Sequence, residues 1–171
     1  YTLYPFRESG AGTKASDFEA NQNGKYTFIL HYSSPSDLGK ITITAIKSID
    51  AGEASVGNPK TISFKKPGER VNVAIKVTQG YKYRLVTKVK DSNASTIWAD
   101  YTRPDGTTDT LFMFRNSGAG TQVTDLGPMR QSGEYIFSLT KSTPSDTSEL
   151  SLTLLRVEKP IVIKSNTPTT I

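Results

Sequence analysis

Much of the chain alternates between apolar and polar residues. Val71, Val73, Ile75 and Val77 take every second position against Asn72, Ala74, Lys76 and Thr78. After Gln79-Gly80, Tyr81, Tyr83, Leu85 and Val89 do the same against Lys82, Arg84, Val86, Lys88 and Lys90. Successive side chains of an extended strand point to opposite faces, so a period of two predicts strands with one buried face. The short Gln79-Gly80 break predicts that 71–77 and 81–89 form a hairpin with one apolar and one basic face. Tyr26, Phe28 and Leu30 alternate with Thr27, Ile29 and His31, and Lys40 to Thr44 alternates in turn, which predicts a second hairpin. Tyr135, Phe137 and Leu139, followed by Leu150, Leu152 and Leu154, predict a third of the same form. Shorter strands are expected at 2–6, 61–64, 95–102 and 110–114, with loops at 50–59 and after each Gly-rich stretch. No segment keeps a 3.6-residue period between caps, so helix is not expected.

The chain also repeats itself. Phe6 to Asp17 matches Phe114 to Asp125 at eight of twelve positions, including Ser-Gly-Ala-Gly-Thr in both. Gly24-Lys25-Tyr26 returns as Gly133-Glu134-Tyr135, and Ser34-Pro35-Ser36-Asp37 as Thr143-Pro144-Ser145-Asp146. A period near 108 residues predicts a tandem duplication. Pro168 to Ile171 aligns with Pro59 to Ile62, so the second copy is expected to be incomplete. The expected architecture is all-β: an antiparallel β-sandwich with an internal duplication. Repeat 1 spans 1–104, and a partial repeat 2 spans 105–171 and packs on it. The start at Tyr1 leads us to expect a processed or trimmed chain. An unfinished sheet would also offer an open edge for self-association.

Composition narrows the functional classes. There is no cysteine, which excludes disulfides, thiolate metal sites and a cysteine nucleophile. No apolar run approaches the ~18 residues of a membrane-spanning helix. The net charge is +5, and residues 49–104 hold ten basic against five acidic side chains, which is the entire excess. Lys76, Lys82, Arg84, Lys88 and Lys90 are therefore candidate contacts for an anionic polymer. Tyr81 and Tyr83 fall on the opposite face, so stacking with nucleic acid is not expected and no specific nucleic acid is assigned.

Among the remaining candidates, Trp98 is the single tryptophan and shares a face with Asp100. An aromatic ring beside a carboxylate suits a sugar, whose hydroxyls Asp100 would accept; the plainer role for such a tryptophan is packing at a sandwich margin. Arg7 and Arg115 flank the Gly-rich stretches Ser9–Thr13 and Ser117–Thr121. These stretches are either nests of N–H groups for an anion or turns that only glycine allows. His31 is the single histidine and has no nucleophile partner in sequence. Asp17, Asp37, Asp125 and Asp146 recur between copies. Their spacing is not that of a calcium loop, so they are expected to cap turns.

No catalytic set, cofactor motif or metal motif emerges. The expected function is that of a secreted, extracellular, non-enzymatic module that binds a cell-wall polymer or glycan. The architecture is loosely similar to the β-sandwich modules of bacterial extracellular proteins, a resemblance of fold class that carries no site residues. Two alternatives remain open. One is an assembly protein that completes its second copy by strand exchange. The other is a membrane-active β toxin.

Overall fold

The structure is a computed structural model that describes residues 16, 18, 20, 23–30, 39–115 and 117–157. Contacts divide the chain into two units, Tyr1–Ile46 and Lys47–Ile171. In the first unit the described residues form no strand, so the alternation at 26–30 and 40–44 does not become the expected hairpin. Phe28 is 54% exposed and Leu30 49%, against the expectation that this face is buried. Alternation makes a strand only where a partner ladder forms, and residues 25–30 join no ladder. Phe18 instead meets Tyr26 and Phe28 edge-on, at ring-centroid distances of 4.7 and 5.4 Å. The strand expected at 2–6, Arg7, the first Gly-rich stretch, Asp17, His31 and Asp37 lie outside the described residues.

The second unit is a two-sheet sandwich. Its strands are β1 (Ile49–Ala54), β2 (Lys60–Ser63), β3 (Val71–Val77), β4 (Lys82–Val89), β5 (Ile97–Thr102), β6 (Thr108–Phe114), β7 (Gly120–Pro128), β8 (Gly133–Lys141) and β9 (Glu149–Val157). One sheet has the order β1-β3-β8-β5-β6 and the other β2-β9-β4-β7. The pairing is antiparallel apart from β1, which runs parallel to β3 at the sheet edge. Both sheets interleave strands from either side of residue 104.

The core follows from the alternation. Val71, Val73 and Ile75 on β3 and Tyr135, Phe137 and Leu139 on β8 are buried on one inner face. Tyr83, Leu85 and Val89 on β4 and Leu150, Leu152 and Leu154 on β9 are buried on the other. At roughly 1.5–3 kcal/mol for each fully buried side chain, these two faces dominate the stability of the sandwich.

Two pairings differ from expectation. β3 and β4 belong to different sheets, as do β8 and β9, so neither pair is a hairpin. The residues between them carry the chain from one layer to the other. A strand with one apolar face buries it equally well beside a neighbour or across a sandwich from one, and periodicity does not separate the two. The Gln79-Gly80 reversal shows how the crossing works. Gly80 N donates to Met129 O at 2.9 Å, and Met129 N to Tyr81 O at 3.0 Å, so the turn, closed by Tyr81 N donating to Thr78 O at 3.4 Å, is also tied to the residue that follows β7.

The second Gly-rich stretch has a structural cause. Gly118 has φ +92°, and a Cβ there would lie 3.0 Å from Ser92 O. Its N–H donates to Ala94 O at 2.7 Å, so it is not free to hold an anion. Glycine is needed here for backbone conformation and close approach.

Candidate functional site

The outer wall of the five-stranded sheet gathers the chemistry. The register sets two cross-strand rows over β3, β8, β5 and β6. In one, Asn72 faces Ser138, Ser138 faces Asp100, and Asp100 faces Thr110. In the next, Thr140 faces Trp98 and Trp98 faces Phe112, with Arg70 just before β3 on the same line. With strands ~4.8 Å apart, four strands make a platform about 14 Å wide.

Most polar groups on it are tied to a neighbour. Asp100 takes Arg70 Nη2 at 3.3 Å on one oxygen and Thr110 Oγ1 at 2.7 Å on the other. Ser138 Oγ donates to Asn72 Oδ1 at 2.8 Å. The Arg115 guanidinium lies 4.5 Å from the Phe112 ring centroid, a cation–π contact on an exposed surface. The Arg115 backbone is fixed as well, its N–H donating to Gln122 Oε1 at 2.6 Å and its carbonyl accepting from Thr96 Oγ1 at 3.2 Å. Trp98 is half-buried and Phe112 exposed. The result is a pair of aromatic residues beside a carboxylate and two guanidinium groups, with hydroxyl and amide groups around them.

The expected site residues divide. Trp98, Asp100 and Arg115 come together on this platform. Lys76 lies on the same wall beyond it and is paired with Glu53 at 2.8 Å. That hydrogen bond, with the Glu53 charge, raises the Lys76 ammonium above its ordinary value. Lys82, Arg84 and Lys88 point outward from β4, on the opposite wall of the sandwich, and Lys90 follows β4 in an exposed position. There Arg84 is paired with Asp125 at 2.6 Å. The expected single basic face is therefore split between two walls and partly neutralised, because β3 and β4 are not neighbours. Asp125 lies on β7 and caps no turn, whereas Asp146 does cap one, its Oδ1 accepting from Ser148 N at 2.8 Å.

Arg70, Phe112, Thr110, Asn72 and Ser138 belong to the platform without having been singled out. The outward parity of Thr110 and Phe112 on β6 was available from sequence. The approach of Arg70 to Asp100, 30 residues away in the chain, was not.

Elsewhere, no cluster of three His, Cys, Asp or Glu suited to a metal occurs among the described residues. No helix among them is long and apolar enough to cross a membrane.

No family model matches the chain, and no curated protein matches it. Several solved structures share some likeness. One is a pre-peptidase C-terminal domain of collagenase from Bacillus anthracis: TM-score 0.45, 8% identity, covering 66% of this chain and 99% of that one. Another is PliG from Aeromonas hydrophila, a periplasmic inhibitor of g-type lysozyme: TM-score 0.39, 12% identity, covering 65% and 100%. A third is a family 35 carbohydrate-binding module from Clostridium thermocellum: TM-score 0.27, 14% identity, covering 61% and 74%. All three are distant, so the functional reading is built on this chain's own side chains.

Proposed function

We propose that this chain is a non-catalytic β-sandwich module that binds a glycan on the outer wall of its five-stranded sheet. The observation that carries this reading is the adjacency of the two cross-strand rows. Trp98 and Phe112 supply apolar ring surface, and Asp100, Thr110, Asn72 and Ser138 supply a mixed donor and acceptor row beside it. Sugars present both kinds of surface, apolar C–H faces and a rim of hydroxyls. Because Asp100 is held by Arg70 and Thr110, its lone pairs are oriented before a ligand arrives, which limits the entropy lost on binding. Glycan and wall polymers are met outside the cytoplasm, so the proposal carries an extracellular location with it. A purely anionic polymer is favoured less, since the lysines and arginines stand on opposite walls.

Trp98 is the only tryptophan, so its fluorescence reports directly on this wall. Titration of the full chain with soluble glucan, xylan, mannan, chitin oligomers and wall polysaccharide fragments tests the reading. Binding to at least one, with a change in Trp98 emission, is expected. Trp98→Ala should weaken that binding about tenfold or more, the equivalent of ~1.4 kcal/mol. Absence of binding to every member at low salt, or full affinity in Trp98→Ala, overturns it.

A further inference from the structure

The repeat sets two stretches of the first unit against two strands of the second. Residues 24–30 correspond to 133–139 in β8, and at the same spacing residues 40–45 correspond to 149–154 in β9. The positions that β8 and β9 bury are kept apolar in the first copy. Phe137, Leu139, Leu150 and Leu152 are at most 2% exposed, whereas their counterparts Phe28, Leu30, Ile41 and Ile43 are between 49% and 62% exposed. One exposed apolar side chain is ordinary. Four at the inward positions of two alternating segments make a core face that lacks its cover.

The second unit defines that cover. β8 lies between β3 and β5, and β9 between β2 and β4. All four neighbours fall within residues 60–102, so this one half of the sandwich supplies every ladder of β8 and β9. Val73 stands opposite Phe137 there, and Ile75 opposite Tyr135. The chain carries this half once, and β8 and β9 fill it. Residues 24–30 and 40–45 have the pattern to use the same half and join no ladder among the described residues. A second molecule of this chain brings no spare half, because its own β8 and β9 occupy it.

We propose that the first unit is the closing half of another β-sandwich and binds a further copy of the strands β2 to β5. Residues 24–30 would enter between the counterparts of β3 and β5, and residues 40–45 between those of β2 and β4. Backbone ladders on both sides of each segment give the affinity, and the apolar alternation sets the register. The repeating module on this reading has the order of residues 47–157, five strands and then four. The inference stands apart from the glycan reading, which concerns the outer wall of the second unit.

The test joins a second copy of residues 47–108 ahead of Tyr1 in the full chain, which restores the order found across Thr108 and Asp109. Hydrogen exchange read by mass spectrometry compares peptides covering 24–30 and 40–45 in the parent and extended chains. Residues 133–141 serve as the reference for the sandwich already present. The first-unit amides should exchange about a hundredfold or more slowly once the extension is added. An extension carrying Val73→Asp and Ile75→Asp in the added copy alone should give no such protection, since both carboxylates would have to be buried, while 133–141 stays protected. Unchanged exchange in the extended chain, or equal protection from the Asp-bearing extension, would overturn the proposal. So would protection of the parent at high concentration, which would make a second molecule of this chain the occupant.

Discussion

Where β8 ends, Lys141 and Asp146 form an ion pair whose side chains are only 3% and 8% exposed. Lys141 Nζ donates to Asp146 Oδ1 at 2.8 Å, to Ser148 O at 2.5 Å and to Ser148 Oγ at 2.6 Å, and lies over the Phe64 ring. Asp146 Oδ2 accepts from Ser95 N at 2.7 Å and Ser95 Oγ at 2.9 Å. Burial alone would raise the Asp146 carboxyl, but Lys141 and the N–H groups of Ser95 and Ser148 hold it well below the usual carboxylate range. Burial lowers the Lys141 ammonium, and its bond to Asp146 offsets only part of that. Both groups are lowered, which favours the charged carboxylate but disfavours the charged ammonium. The carboxylate is well satisfied, while the ammonium still carries a desolvation cost, so the pair as a whole contributes little net stability. Breaking it from one side is another matter. Lys141→Met or Asp146→Asn alone strands a partner in a buried site, and each should cost about 3–5 kcal/mol. The double variant should cost no more than the worse single, giving a coupling of about 3 kcal/mol. Urea denaturation of the four proteins, with m unchanged, measures the cycle. Additivity of the two single effects within ~0.5 kcal/mol would refute the argument.

The same network sets an acid limit. Because the folded Asp146 carboxyl titrates below its unfolded value of ~3.9, its contribution is fully present above that pH and is lost as pH falls through the lower folded value. Asp146→Asn should flatten the loss of stability below about pH 4, and an unchanged acid slope would count against it. Gly118→Ala should destabilise by more than about 1 kcal/mol, since the residue combines positive φ with a Cβ 3.0 Å from Ser92 O; a neutral urea midpoint would show the loop to be adaptable. Arg84→Ala removes only an exposed pair, so its urea midpoint should stay within about 1 kcal/mol of the parent; a larger loss would mean that the outer wall of the four-stranded sheet is not solvated as described.

The sequence pattern reached the faces of the strands but not their neighbours. Val71 to Val77, Tyr135 to Leu139 and Leu150 to Leu154 were legible because each inward position is apolar and, Ala74 and Ile136 aside, each outward one is polar. β7 was not, since Gln122 and Thr124 take inward parity there while Val123 points out, inverting the usual signal. β1 was also missed: Ile49 to Ala54 contains Asp50, Gly52 and Glu53, and it exists as a strand through its parallel register with β3. On the outer wall, Trp98, Asp100 and Arg115 could be read from parity and proximity in sequence. Arg70, Asn72 and Ser138 could not, because they arrive through the placement of β8 between β3 and β5, which is a long-range choice.

That placement also governs the order in which the molecule can be made. Without β8, the first sheet is two detached ribbons, and without β9 the second is a lone strand and a ribbon. A nascent chain emerging from the ribosome must therefore hold the apolar faces and unbonded edges of seven strands until β8 appears, and some of them until β9 follows. Folding late and all at once, through contacts far apart in sequence, is slow and leaves the intermediate sticky. Cover for those edges until residue 157 has emerged, more than added stability afterwards, is what such a topology calls for.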